Sequence, residues 1–394
     1  MRVKKWAALI ISAALTVSVL TGCGGTVNSS EVNMNSNIEA SDGVPLTSDS
    51  VKLIGRTYLD NDTLWMALSG AGAEFVYTGR KLDITVVGDN AATAPSNDTN
   101  YARVGVYVDG VRVIDDMLNA EEKTYTAFES DEAKSVTVQI IKLSECAMST
   151  FGVKPIHLAD GESIAPTAAK AHKIEFIGDS ITCGYGVDDE DENHHFSTAT
   201  EDVTKAYAYK TAQKLDAEYS MFSVSGYGII SGYTDNENPK PDQTIPQYYE
   251  SLGFSYQKFA GTTSPQKLDW DFNNYQPDAV VINLGTNDDS YCKTDETKAE
   301  FQTAYVEFIK TVRKNNPDAT IFCTLGIMGG NVAKNIKLAV DDYTAETGDT
   351  NVVMFKLNQQ VSSDGLAADW HPTERTHEKA SDKVAEKIRE VMGW

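Results

Sequence analysis

Residues 174 to 180 read Ile174-Glu175-Phe176-Ile177-Gly178-Asp179-Ser180, an apolar run that breaks into Gly-Asp-Ser and then a glycine-rich turn through Gly184-Tyr185-Gly186. A buried strand ending in a tight turn lifts the next side chain out of the sheet, and glycines let a carbonyl approach the backbone N–H groups, so Ser180 stands where a nucleophile belongs. Gly-Asp-Ser alone occurs in ordinary loops, and its company decides its meaning. Ser223-Val224-Ser225-Gly226-Tyr227-Gly228 follows a second apolar run, Asn283-Leu284-Gly285-Thr286-Asn287-Asp288 follows a third, and Asp369-Trp370-His371-Pro372 stands near the C-terminus. Ester cleavage needs a nucleophile, a base and a place for an oxyanion. These four blocks contain residue types able to supply all three.

The elements that must position them are legible from periodicity. Apolar runs at 174–177, 219–224, 279–284, 320–325 and 352–357 are separated by stripes at three- and four-residue spacing: Phe301, Tyr305, Phe308, Ile309, Val312; Val332, Ile336, Ala339, Val340, Tyr343; and His377, Ala380, Val384, Ile388, Val391. Continuous apolar strands with crossover helices predict a parallel sheet covered on both faces. A flavodoxin-like strand order 2-1-3-4-5 brings the ends of the first three strands together at the switch point, with Ser180, Gly226 and Asn287 just beyond them. From about 51 to 160 the texture is all-β. Lys81–Val86 and Ser135–Ile140 alternate, placing Leu82, Ile84, Val86, Val136, Val138 and Ile140 inward, and Asp109-Gly110 between two short strands is a type I′ hairpin signal. Several closely spaced short strands predict a β-sandwich.

Arg2, Lys4 and Lys5 precede an apolar stretch from Trp6 to Leu20, which ends Leu20-Thr21-Gly22-Cys23. The run is short and ends in small residues, which predicts a signal peptide over 1–23 rather than a membrane span. The ending resembles a bacterial lipobox, with Cys23 the lipid-bearing residue. Residues 24–50, rich in Ser, Asn and Gly, read as a flexible tether. The expected location is the outer face of a bacterial membrane, held there by the lipid alone, or the medium. The balance of 34 basic and 57 acidic residues, a formal charge of −23, argues against nucleic acid as a partner. Cys146, Cys183, Cys292 and Cys323 lack metal-ligand spacing; their disulfide state stays open at this level, and no metal or cofactor is expected.

Serine, glycine, asparagine and histidine blocks in this order resemble the SGNH (GDSL-type) hydrolases. Gly55-Arg56-Thr57, Leu64-Trp65-Met66, Gly72-Ala73-Glu74-Phe75 and Lys142-Leu143-Ser144-Glu145 resemble the jelly-roll domain that precedes the hydrolase domain in carbohydrate esterase family 2; Thr204–Tyr207 and Trp270–Asn274 agree. The likeness implies an α/β SGNH-hydrolase domain over 170–394, a three-layer sandwich on a parallel sheet, after a jelly-roll β-sandwich over 51–160. It implies a serine esterase that deacetylates plant-type polysaccharides, acetylxylan esterase by usual name. A lipase or thioesterase on the same fold, and a non-catalytic surface lipoprotein that binds carbohydrate, are the competing readings.

Within this resemblance Ser180 is the nucleophile, and its own N–H, the N–H of Gly226 and the amide of Asn287 form the oxyanion hole, with Gly228 a competitor for the glycine position. His157 and His172 lack a catalytic neighbourhood, His194 and His195 follow the acidic run Asp188–Glu192 and read as a solvated loop rather than a cation site, and His377 lies on the apolar stripe of the last helix, which leaves His371 as base. The broad SGNH pattern has Asp three residues before His. Here position 368 is Ala and the carboxylate is Asp369, two before, the spacing of the narrower family. In an extended loop residues two apart share a side, so Asp369 is expected to reach the far ring nitrogen; a backbone carbonyl is the alternative. Asp179 is expected to brace the serine turn. Trp370, Tyr185 and Tyr227 are candidate substrate contacts, Trp370 equally a core aromatic.

Overall fold

Two long strands organise the N-terminal half. The computed structural model describes residues 43–94, 100–236 and 238–394. Its first nine strands are β1 Lys52–Ile54, β2 Thr57–Asp60, β3 Thr63–Met66, β4 Gly72–Gly88, β5 Arg103–Val108, β6 Val111–Met117, β7 Glu122–Lys142, β8 Phe151–Val153 and β9 Ser163–Pro166. β4 and β7 pair antiparallel along their length, with register shifts between Gly79 and Lys81 and between Leu82 and Asp83. The first half of β4 carries β1 and β9 on its other edge and the second half carries β8, while β5 lies along the end of β7, so two leaves share these strands. Leu82, Ile84, Val86, Val136, Val138 and Ile140 are buried between them, as the alternation requires. The β5–β6 hairpin turns on Asp109 and Gly110 at φ 48° and 79°, the two positive φ values of a type I′ turn.

The expected signal peptide and Cys23 lie outside the described residues. Of the expected tether, residues 24–42 also lie outside the described residues, and 43–50 belong to the fold: Val44 and Ile156 exchange backbone hydrogen bonds at 2.9 Å, and Leu46 is fully buried. One buried side chain and one pair of backbone hydrogen bonds fasten them.

The second half comprises β10 His172–Gly178, α1 Ser180–Cys183, α2 Tyr207–Lys214, β11 Ala217–Ser223, β12 Ala279–Asn283, α3 Asp295–Asn315, β13 Thr320–Ile327, α4 Ala333–Thr347, β14 Val352–Gln359 and α5 Glu374–Met392. The five strands are parallel in the order β11-β10-β12-β13-β14, the 2-1-3-4-5 arrangement read from the sequence. Gly178 pairs with Ser223 on one side and Asn283 on the other, so three strands end level and their following loops meet. The apolar stripes of α3 and α4 are buried as expected; α5 buries His377 through Ile388, but Val391, in its final turn, is 40% exposed.

The two halves share one buried contact of unusual chemistry. Arg56, fully buried, pairs with Glu175 of β10 at 2.9 Å and donates to the carbonyls of Tyr249 and Ser251, both at 2.6 Å. Phe222, Tyr249, Trp270 and Phe272 surround its guanidinium, with ring centroids 4.7–5.4 Å away. A buried charge is tolerated only when paired and hydrogen-bonded, and this one is both.

Candidate active site

Ser180 is the first residue of α1, and Asp179, not Ser180, caps that helix: the Asp179 carboxylate accepts the Ile181 N–H at 3.0 Å. The serine hydroxyl is thereby left for another partner, and its N–H, at the first helical position, has no intrahelical acceptor. Gly178 must be glycine, since a Cβ there would lie 2.0 Å from the Thr182 hydroxyl. His371 Nε2 stands 2.9 Å from Ser180 Oγ. Its Nδ1 faces the backbone carbonyls of Ala368 at 3.2 Å and Asp369 at 3.1 Å, two acceptors, which assigns the proton to Nδ1 and the lone pair to Nε2. Desolvation by the surrounding protein pulls the His371 pKa down to about 4, so the ring is neutral at pH 7.

Asp369 is not where the sequence predicts. Its carboxylate accepts the Tyr185 hydroxyl at 2.6 Å and the Phe196 N–H at 3.1 Å and meets His195 Nδ1 at 2.8 Å; among the described residues no hydrogen bond joins it to the His371 ring. The reason is conformational. Asp369 and Trp370 have φ 50° and 59°, left-handed backbone that costs a non-glycine residue roughly 1–2 kcal/mol, so the same-side rule for extended chain does not apply. Burial alone raises the Asp369 pKa, but the hydrogen bonds from Tyr185 and His195 outweigh it and hold the group below the usual carboxylate range.

Gly226 lies at φ 79° in the loop beyond β11, and the buried Asn287 in the loop beyond β12. Asn287 Nδ2 donates to the Tyr227 carbonyl at 2.8 Å and makes a longer contact, 3.4 Å, with Asp179 Oδ2. Gly228 is no competitor, because its N–H donates to the Gln243 carbonyl at 3.2 Å. A Cβ there would also meet Asp288 Oδ2 at 2.5 Å. Asp288, which sequence reasoning passed over, accepts the N–H groups of Ile229, Ile230 and Ser231 at 2.8–3.2 Å. Burial pushes Asp288 up to about 6 against those donors, and pushes Asp179 up to about 7, the nearby Asp288 adding to it.

The dyad opens into a cavity of about 810 Å³ whose lining includes Tyr185, Tyr233, Thr234, Asn287, Lys293 and Trp370. Trp370 is 54% exposed there, which settles its alternatives against the core. Tyr185 stacks on the His371 ring, centroids 3.9 Å apart at 20°. Tyr227 does not line the cavity: its ring is buried against Tyr248 and Phe254, and only its carbonyl serves the site, through Asn287. His377 is a packed core histidine, accepting the Tyr207 N–H at 3.1 Å, with its pKa lowered to about 3 by burial. His195 is the solvated loop residue read from the sequence, and it also meets Asp369, a contact no local signal announces. Cys146, Cys183, Cys292 and Cys323 are free, buried thiols.

Comparison with known proteins agrees in both halves. Residues 53–167 match the carbohydrate esterase 2 N-terminal family, and residues 176–379 match the GDSL-like lipase/acylhydrolase family. A cellulase/esterase of Acetivibrio thermocellus is 30% identical over 328 residues, 82% of this chain but only 38% of that protein, so the chain spans well under half of this relative's length. An acetylxylan esterase/glucomannan deacetylase of Cellvibrio japonicus is 27% identical over 373 residues, 92% of this chain and 94% of that one. The solved structure of a family two carbohydrate esterase from Clostridium thermocellum, in complex with cellohexaose, matches with a TM-score of 0.75 at 28% identity, covering 87% of this chain and 99% of that one. A parallel 2-1-3-4-5 sheet with the four blocks at its switch point defines an SGNH-type hydrolase. With its β-sandwich half matched as well, the chain belongs to carbohydrate esterase family 2.

Proposed function

We propose that this protein removes O-acetyl groups from plant-type polysaccharides or oligosaccharides, acetylated xylan or glucomannan, and releases acetate. The observation that carries the reading is the 2.9 Å approach of His371 Nε2 to Ser180 Oγ at the cavity floor. Ser180 Oγ attacks the acetyl carbonyl carbon while its proton passes to Nε2. The imidazolium then protonates the sugar oxygen as the ester bond breaks, leaving acetyl-Ser180 and a free sugar hydroxyl. Water, deprotonated by the same nitrogen, attacks the acyl carbon, and acetate leaves as the proton returns to Ser180. The N–H groups of Ser180 and Gly226 and the Asn287 amide hold the oxyanion. The Ala368 and Asp369 carbonyls accept the Nδ1–H and stabilise the transient imidazolium, the task of the carboxylate in a triad.

The exposed indole of Trp370 offers a flat apolar face to a sugar ring. Met328 and Trp370 are the apolar side chains in a lining otherwise of Ser, Thr, Tyr, Asn, Asp, Lys, His and glycine, which suits a carbohydrate and gives a long acyl chain little to bury against. Export and lipid attachment at Cys23 complete the reading, placing the enzyme at the outer face of the membrane with its substrate. Acetate release from acetylated xylan and glucomannan, measured beside hydrolysis of long-chain esters, tests it: release from the polysaccharides with little turnover of long chains is expected. Preference for long chains, or no turnover of either, overturns it.

A further inference from the structure

Asp369 stands at the position of a triad carboxylate, yet among the described residues the hydrogen bonds of its carboxylate go to groups other than the base. Tyr185 Oη, the Phe196 N–H and His195 Nδ1 converge on its two oxygens at 2.6, 3.1 and 2.8 Å. The main chain is tied to the same loop, since the Ala368 N–H donates to the Asp189 carbonyl and the Asp369 N–H to the His194 carbonyl, both at 2.9 Å. The turn so held has two successive non-glycine residues at φ 50° and 59°, a conformation the chain does not keep without external partners. It is this turn that aims the Ala368 and Asp369 carbonyls at His371 Nδ1, and the Tyr185 ring lies flat against the imidazole that results.

We propose that Tyr185, His195 and Asp369 form a positioning clamp for the catalytic base. The Asp369 carboxylate fastens the base-bearing turn to residues 185–196, and His195, 85% exposed in its side chain and outside the lining of the cavity, is a positioning residue. The clamp acts by keeping two carbonyls on Nδ1, so that Nε2 stays unprotonated and directed at Ser180. This inference rests on the assignment of Ser180 and His371 as nucleophile and base.

Tyr185→Phe deletes one hydroxyl and keeps the ring stacked on His371; His195→Ala deletes an exposed side chain. Steady-state kinetics on an acetyl ester should show kcat about 10-fold lower in each, with KM within about twofold, as expected when a base is misplaced and substrate contacts are not. The double variant should lose less than the product of the two, because both act on one carboxylate. Asp369→Asn, which keeps one acceptor oxygen, should retain more kcat than Asp369→Ala. In proton NMR of the full chain the His371 Nδ1–H resonance should broaden or vanish in the variants, a change that a merely structural role does not cause. If Tyr185→Phe unfolds, His195→Ala decides alone. Wild-type kcat in folded His195→Ala, or a loss confined to KM, overturns the clamp. Absence of ester hydrolysis in the unmodified protein instead overturns the Ser180–His371 assignment.

Discussion

At the scale of single residues, the site separates groups that react from groups that hold. Ser180, the proposed nucleophile, is spared from capping, since Asp179 caps α1 in its place. Ser180→Ala should therefore abolish acetate release and leave the thermal unfolding transition unchanged; residual turnover near wild type removes it as nucleophile. Asn287→Ala should lower kcat by roughly 10²- to 10³-fold, the usual loss for one oxyanion donor, with KM little changed; an equal effect on both would make it a positioning residue. The pH profile follows from His371. The neutral ring is the active form and its pKa is pulled to about 4, so kcat/KM on an acetyl ester should rise through pH 4 and stay level to pH 7, rather than inflecting near 6.5, the ordinary histidine value. The same depression sets a stability window. An unfolded histidine binds its proton near pH 6.5, before the folded one does, so the stability contributed by neutral His371 is complete above that pH and is lost as pH falls toward 4. An inflection near 6.5 in the kinetic profile counts against the desolvated base.

At the scale of elements, loops rather than strands carry the site, and buried carboxylates give the loops their shape. Asp288 gathers three successive backbone N–H groups beyond Gly226. Asp288→Ala leaves those donors buried without a partner, at about 1–3 kcal/mol each, so a loss of about 3 kcal/mol or more in denaturant unfolding is expected, together with reduced kcat. Asp288→Asn, which keeps one acceptor oxygen, should recover part of both. A change under about 0.5 kcal/mol in Asp288→Ala would show that the loop holds itself. The elements themselves were legible: the five parallel strands and the 109–110 hairpin follow from apolar runs and turn residues, and the strand order is the flavodoxin-like one expected of such a sheet. Residues 43–50 were not, because one buried side chain and a backbone bridge do not alter the composition of a polar segment.

At the scale of the molecule, the β-sandwich half is built into the hydrolase half. Arg56 sits within the aromatic cage and pairs with Glu175 on β10. Arg56→Ala strands a buried carboxylate and should cost about 3–5 kcal/mol in thermal or denaturant unfolding. Arg56→Ala combined with Glu175→Gln should be less destabilised than the sum of the two single changes, because they share one interaction. Strict additivity would place the two halves' coupling elsewhere.

What the sequence determined by itself was the set of parts and their level in the sheet. Apolar runs that must be buried specify strands, strand order specifies which loops meet, and Ser180, Gly226, Asn287 and His371 stand at those loops with types suited to acyl transfer. What only the tertiary structure decided was the direction of side chains where the backbone leaves regular conformations. Asp369 turns away from His371 because two residues take left-handed φ, and nothing in Asp-Trp-His announces that. Tyr227 faces the core and offers only its carbonyl, while His195 arrives from a loop 174 residues away in the chain to meet Asp369. Periodicity reports on which face a residue lies in a regular element. In an irregular loop that information does not exist locally, and long-range contacts supply it.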